Sequence, residues 1–165
     1  MAFGDPLNSF EELYERSGPD LLARMLYSEA RGESTEGKVG CAFVAKNRKD
    51  YGDDTFGGST WQRVLLKEYQ FDGMTTKAAL RPDLTEAAWE ECLGIALDVT
   101  RNYGNYNNPI GGCLWFNANA TYSNNSKVEN GKEYYRFGTN ASYNEVVEKV
   151  IIGGHTFFRI VIINR

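Results

Sequence analysis

A glutamate near the end of a predicted helix lies where a carboxyl group can do acid–base chemistry. The apolar positions of this helix recur at helical spacing, at Leu22, Met25 and Leu26. Glu29 continues that spacing and therefore falls on the same apolar face. Carboxylates are rare on such faces unless they pair with a cation or take part in catalysis. Burial also raises the pKa of a carboxyl group, which suits a general acid. The alternative is that Glu29 pairs with Arg24 or Arg31 at the helix end.

Nucleophilic and metal chemistry have much weaker support in the sequence. The three cysteines, Cys41, Cys92 and Cys113, are far apart and form no CxxC pattern, so we expect three buried thiols. His155 is the only histidine, and no serine or cysteine nucleophile motif accompanies it. We interpret His155 as a hydrogen-bonded positioning residue. No metal ion and no cofactor are expected.

The composition is that of one globular domain. The chain has 165 residues, of which 42% are hydrophobic and 24% charged, which excludes a disordered tail. No apolar stretch approaches the ~20 residues of a membrane-spanning helix. A net charge of −4 argues against a nucleic-acid partner. We expect a leader over residues 1–18, with no visible secretory signal, and a single domain over residues 19–165 that acts as a monomer.

Helical signals fill the first two-thirds of the chain. A short helix is indicated at residues 10–16, and a strong one begins at Pro19 and ends before Gly32. Ser34 or Thr35 caps a second helix that runs to about residue 48, and Thr60 caps a third that runs to about residue 69. Asp83 and Glu86 have the spacing of a capping box that opens a long fourth helix.

Strand signals appear only after residue 102. Short β-prone runs cover residues 113–117, 134–137 and 155–163, while residues 117–131 are predicted to form an exposed loop. Helices followed by strands favour the α+β class, with a mainly helical N-terminal two-thirds and a small antiparallel sheet toward the C-terminus.

Five blocks in this sequence resemble the SleB-type cell wall hydrolases, the spore cortex-lytic family. They occur in the family's order: LARMLYSEARGE at 22–33, GKVGCAFVAKNR at 37–48, QF at 70–71, GGCLWFN at 111–117 and IGGHTFF at 152–158. The similarity implies a compact, lysozyme-like domain that acts on peptidoglycan glycan strands. It also implies that Glu29, in the block similar to "YGEARGE", is the catalytic acid and base.

Three positions depart from the family pattern. Ser28 replaces a glycine before the glutamate, Asp72 replaces a serine after QF, and Gly154 replaces an asparagine before the histidine. Asp72 adds a carboxylate near the expected cleft, and Glu33 lies one turn past Glu29. Glu33 is interpreted as a residue of the helix junction.

The resemblance implies cleavage between N-acetylmuramic acid and N-acetylglucosamine. With one glutamate, the muramic 6-hydroxyl can close on C1, which is lytic transglycosylation and gives 1,6-anhydromuramic ends. A second carboxylate, Asp72 or Glu33, would instead make the domain a hydrolytic muramidase. A non-catalytic peptidoglycan-binding module would keep the fold without turnover, and an amidase would need a metal or nucleophile motif that the sequence lacks. We expect action at the cell wall or spore cortex, or delivery by a phage.

Several side chains in or near the blocks are candidates for contact with sugar. In β geometry Trp115 and Asn117 share one face of a strand and Phe116 takes the other. The predicted substrate-binding residues are Gln70, Phe71, Trp115, Phe116, Asn117, Tyr122 and His155. Tyr134 and Tyr135, beside the predicted loop, are further candidates.

Overall fold

The computed structural model describes residues 2–68 and 70–161 and has two layers, one helical and one a sheet. The helices are α1 (Gly18–Ala30), α2 (Thr35–Tyr51), α3 (Trp61–Leu65), α4 (Lys77–Leu80), α5 (Ala87–Arg101) and α6 (Asn119–Asn124). Three 3₁₀ helices cover Phe10–Glu15, Asp54–Phe56 and Asp72–Thr75. None of the helices in the described ranges is long and apolar enough to cross a membrane.

Local sequence explains where most of the helices begin. Pro19 lies in the first turn of α1, where its missing N–H has no helical partner to lose. The Ser34 hydroxyl accepts from the Gly37 N–H and caps α2, and the Thr60 hydroxyl caps α3 in the same way. Helix α3 ends at Leu65, short of its predicted end at residue 69, which lies outside the described residues.

The predicted capping box of α5 is wrong. Asp83 accepts hydrogen bonds from the N–H and hydroxyl of Thr85 and forms its own turn before the helix. The Glu86 carboxylate accepts instead from the Tyr27 hydroxyl, 2.7 Å away. Because both side chains have other partners, the helix begins at Ala87 with no side-chain cap.

Within residues 2–68 and 70–161, five antiparallel strands form one sheet in the order β1-β5-β4-β3-β2. They are β1 (Trp115–Ala118), β2 (Ser126–Glu129), β3 (Lys132–Arg136), β4 (Tyr143–Ile152) and β5 (His155–Ile160). The three predicted strands correspond to β1, β3 and β5, although residues 162 and 163 of the third lie outside the described residues. The predicted α+β class is confirmed.

Residues 117–131 are largely exposed, as predicted, but the prediction that they form a loop is wrong. This Asn-rich stretch contains α6 and β2, and the long strand β4 also lacked a clear signal in the sequence. Strand β2 has the sequence Ser-Lys-Val-Glu and lies at an exposed edge of the sheet. Its only apolar residue is a valine, so the sequence shows no alternation of apolar and polar residues that would predict a strand. Tertiary pairing with β3 fixes it as a strand.

The sheet separates two cores. Consecutive residues of β5 point to opposite faces, so Phe157 joins the helical core while Phe158 joins a smaller aromatic core with Tyr122 and Tyr135. The three cysteines are buried as free thiols, as expected. The pleat of β5 therefore anchors the sheet to the helices on one side and leaves an aromatic cluster on the other.

The N-terminal segment packs into the helical core rather than extending from it. Leu7 and Leu13 are buried there. The Asp20 carboxylate, fully buried in α1, accepts from the Gly4 N–H and from the guanidinium groups of Arg16 and Arg24. Burial alone would raise the pKa of Asp20, but the hydrogen bonds from Arg16, Gly4 and Arg24 outweigh it and lower that pKa.

We expect Asp20→Asn to cost about 3–5 kcal/mol in the free energy of unfolding, because two buried guanidinium groups lose their carboxylate. Asp50→Asn is the matched control, since Asp50 pairs with Lys46 in a largely exposed ion pair worth at most about 1 kcal/mol. Urea denaturation of the two variants measures the difference. Equal unfolding midpoints for both would contradict the role given to Asp20.

Candidate active site

The Glu29 carboxyl lies at the C-terminal end of α1, half-buried beside the helical core. Within the described ranges no cation comes within ion-pair distance of it. Arg24 is bound to Asp20, and the guanidinium of Arg31 lies 4.6 Å from the centre of the Tyr27 ring. The alternative in which Glu29 pairs with one of these arginines is therefore wrong, and its carboxyl remains available for chemistry.

A backbone N–H holds this carboxyl in place. Gly73, in the 3₁₀ helix Asp72–Thr75, donates to Glu29 Oε1 over 2.8 Å. A Cβ atom on Gly73 would lie 2.5 Å from Ser28 Oγ and 3.0 Å from Glu29 Cδ. Only glycine allows the backbone to approach α1 this closely, so residues 28, 29 and 73 form one packed contact.

The surroundings raise the pKa of Glu29. Burial is the main cause, and the negative charge of Asp72 adds to it. The hydrogen bond from Gly73 and the charges of His155 and Arg48 act in the opposite direction but do not cancel the shift. A carboxyl with a raised pKa keeps its proton to a higher pH, as a general acid must.

A groove of about 760 Å³ runs between the helical layer and the sheet and reaches Asp72, the residue before Gly73. Four of the predicted substrate-binding residues line it: Gln70, Trp115, Phe116 and Asn117. Cavities of this size with aromatic walls and a few polar groups are typical of small-molecule and oligomer sites. Phe71 is buried behind the groove, and its ring contacts Phe116.

Arg48 is a residue of the groove that the sequence analysis missed. Its guanidinium lies between the rings of Phe56 and Phe71, at 5.0 and 4.7 Å from their centres. It donates to the Leu114 carbonyl and to Gln70 Oε1. Burial lowers the pKa of Arg48 to about 9, against the raising effect of Glu29. The "NR" that ends the second block was the available signal.

The Arg48 contact determines how Gln70 is presented. A guanidinium only donates, so the amide oxygen of Gln70 must face it and the amide nitrogen is left as a donor for the groove. Asn117 is the complementary case, because its nitrogen donates to the Tyr135 hydroxyl over 2.7 Å and its oxygen is left as an acceptor. The two amides thus offer one donor and one acceptor.

His155 lies behind Phe116 rather than in the groove. The centres of the two rings are 5.1 Å apart in an edge contact. His155 Nδ1 is buried without a hydrogen-bond partner among the described residues and lies 3.9 Å from Glu33 Oε1. The same oxygen accepts from the Gly154 N–H over 2.9 Å. Glu33 therefore fastens the β4–β5 turn to the link between α1 and α2.

The structure does not bring the predicted tyrosines to the groove. Tyr122 is buried in the smaller core, where its hydroxyl donates to Glu133 and its ring stacks on Tyr135 with centres 5.1 Å apart. Tyr135 is buried as well, and Tyr134 lies beside Lys127 on the sheet. Sugar contact by Tyr122 has no support from this position.

Comparisons with known proteins agree with this architecture. The sequence profile of the family described as Cell Wall Hydrolase matches residues 32–158, a range that begins just after Glu29. The catalytic domain of the germination-specific lytic transglycosylase SleB from Bacillus anthracis is 21% identical, with a TM-score of 0.52, over 86% of this chain and 93% of that chain. The catalytic domain of the Bacillus cereus SleB protein is 20% identical, with a TM-score of 0.51, over 96% of this chain and 98% of that chain. A search of curated protein sequences finds no match.

The two structural likenesses confirm that the chain has the fold of SleB catalytic domains, as the family resemblance implied. In the described part of the chain, no group of three or more His, Cys, Asp or Glu side chains is arranged to hold a metal ion.

We expect Gly73→Ala to cost about 1–3 kcal/mol of stability, because its Cβ would press on Ser28 and Glu29. Gly94→Ala is the matched control. Gly94 is exposed in α5 with nothing within 4 Å of a new Cβ, so alanine there should stabilise the helix by up to about 1 kcal/mol. Urea denaturation compares the two. A stabilised Gly73→Ala variant would show that the contact is loose.

Proposed function

Because the chain belongs to the cell wall hydrolase family, it is an enzyme that cleaves peptidoglycan, and we propose that it cuts the glycan strands with Glu29 as catalytic acid and base. The observation that carries this proposal is the half-buried Glu29 carboxyl, raised in pKa and bound by the Gly73 N–H next to the groove. We further propose that a monomer acts at the cell wall or spore cortex.

The first chemical step is proton transfer from the Glu29 carboxyl to the oxygen that joins N-acetylmuramic acid to N-acetylglucosamine. The bond from C1 of the muramic acid to that oxygen breaks, the leaving sugar departs with the proton, and C1 gains oxocarbenium character. Glu29 is now a carboxylate and can act as a base. The Gly73 N–H, which donates to this carboxyl, stabilises the charge that develops there.

The second step regenerates the acid. The 6-hydroxyl of the same muramic acid attacks C1 and gives its proton to the Glu29 carboxylate, which leaves a 1,6-anhydro ring and no net consumption of water. This route needs one carboxyl, and the site has one that is both half-buried and raised in pKa. The Bacillus anthracis domain with the same fold is itself called a lytic transglycosylase, which supports this route.

The groove offers matching contacts for acetylated sugars. We assign the Gln70 amide nitrogen to a sugar carbonyl and the Asn117 amide oxygen to a sugar hydroxyl or N–H, in keeping with their free atoms. Trp115 and Phe116 lie on opposite faces of β1, and both rings border the groove. Phe71 and His155 act from behind, because both rings pack on Phe116 and fix its position.

Hydrolysis is the second candidate, and Asp72 is the observation that favours it. Asp72 is exposed, lines the groove and adjoins the residue that binds Glu29. A second carboxylate about 5–5.5 Å from the acid would serve a retaining hydrolase, and one about 6.5–9.5 Å away an inverting hydrolase. In the transglycosylase route Asp72 has only an electrostatic effect on Glu29.

We expect Glu29→Gln to fold normally and to lose lysis of purified cell walls by roughly two to four orders of magnitude. The glutamine oxygen can still accept from Gly73, but the side chain cannot exchange a proton. Glu36→Gln is the control, since Glu36 is exposed on α2 and should keep activity within about twofold. Turbidity loss measures both. Lysis by the two variants at similar rates would exclude Glu29 as the acid.

The pH dependence should report the raised pKa of Glu29. The protonated acid is lost as pH rises through that pKa, so kcat/KM should fall on the alkaline side, above the pH set by the ordinary glutamate pKa of ~4.3. Asp72→Asn removes a like charge, lowers the pKa of Glu29 and should move this limb to lower pH. A rate profile that is flat from mildly acidic to alkaline pH in both proteins would contradict the assignment.

A further inference from the structure

A second cavity adjoins the groove on the other side of Asp72. It has a volume of about 590 Å³ and lies between the N-terminal 3₁₀ helix Phe10–Glu15 and residues of the segments 65–68 and 71–75. Asp72 lines both the groove and this cavity, and Gly73, which binds Glu29, is the next residue. A polymer that passes from the groove into the cavity would therefore cross the segment that holds the catalytic carboxyl.

The lining of this second cavity suits a sugar. Tyr14 is 58% exposed, and its edge-to-face contact with Phe10 fixes its orientation. Lys67, Glu68 and Thr75 supply donors and acceptors around the two rings. An apolar ring with polar groups of both kinds matches a sugar, which has an apolar face and a rim of hydroxyl groups.

A third cavity adjoins the second one and extends toward Asp54, Gly57 and Arg63. It has a volume of about 440 Å³ and shares Tyr14, Leu66, Lys67 and Glu68 with the second one. Tyr14 thus borders two adjoining cavities, and its exposure coincides with a continuous depression in the surface. The N-terminal segment that carries it lies outside the family match at residues 32–158. It is nevertheless held firmly, because Leu13 is buried and Arg16 binds Asp20.

We propose that the cavity at Tyr14 is a second glycan-binding region, which holds the sugars on the opposite side of the cleaved bond from those in the groove. The proposal rests on the proposed function, since it takes the same glycan strand as its ligand. It makes the N-terminal segment a part of the substrate site. It also makes the enzyme one that cuts within strands, because sugars on both sides of Glu29 contribute to binding.

The test uses peptide-free glycan strands of graded length, so that no stem peptide contributes. Tyr14→Ala removes the ring from an exposed position, and Tyr14→Phe keeps it. Tyr103→Ala is the matched control, because Tyr103 is 61% exposed in the loop after α5 and lines none of the three cavities. Binding is measured by calorimetry in the inactive Glu29→Gln background, and kcat/KM in the otherwise unchanged enzyme.

We expect Tyr14→Ala to weaken binding of long strands about tenfold, and to lower kcat/KM by a factor that grows with strand length. Tyr14→Phe should keep most of the strand binding and most of the kcat/KM, while Tyr103→Ala should match the parent protein in both measurements. The proposal would be overturned if Tyr14→Ala lowered kcat/KM by the same factor for strands of all lengths, or if Tyr14→Ala and Tyr103→Ala weakened strand binding equally.

The outcomes separate this proposal from the proposed function. If the parent enzyme releases glycan fragments but Tyr14→Ala binds and cuts long strands normally, the second region is wrong and the function stands. If the parent enzyme cuts no glycan but binds long strands through Tyr14, the assigned reaction is wrong and the binding region stands.

Discussion

The hydrogen bond from the Gly73 N–H to the Glu29 carboxyl sets the conditions under which the rest of the site operates. A carboxyl on the apolar side of a helix resists ionisation, because burial disfavours its charged form. The N–H partner allows that charged form to exist transiently without an ion pair. Only a residue without a side chain can bring the N–H so close to α1, so the turn at Gly73 and the helix form one packed unit.

Arg48 connects this unit to the sheet. Its guanidinium reaches the Leu114 carbonyl just before β1 and the Gln70 amide just before the Gly73 turn, between two phenyl rings. No carboxylate among the described residues pairs with this buried cation, and the rings and carbonyl groups offset part of the cost of its burial. The arrangement puts the positive charge of Arg48 and the negative charge of Asp72 near Glu29, and the two charges have opposite effects on its pKa.

Elements that depend on local sequence patterns were predicted correctly, whereas elements that depend on contacts between residues far apart in the sequence were not. The apolar spacing around Glu29 placed it in a buried helix, and the cap at Ser34 fixed the start of α2. The capping box at Asp83 failed because Tyr27, far away in sequence, engages Glu86. Strand β2 and the burial of Tyr122 depend on pairing across the sheet, and no local signal reports that. Four of the residues predicted from the family-like blocks therefore line the groove, whereas Tyr122 of the Asn-rich stretch does not.

The central claim is that one carboxyl, Glu29, performs both proton transfers, and mass analysis of the released muropeptides tests it most directly. If Glu29 works alone, the muramic ends are 1,6-anhydro rings, one water lighter than hydrolytic products and unreactive to borohydride, and Asp72→Asn releases the same products. Reducible muramic ends as the main product, together with an Asp72→Asn variant as inactive as Glu29→Gln, would contradict the account and identify a two-carboxylate muramidase.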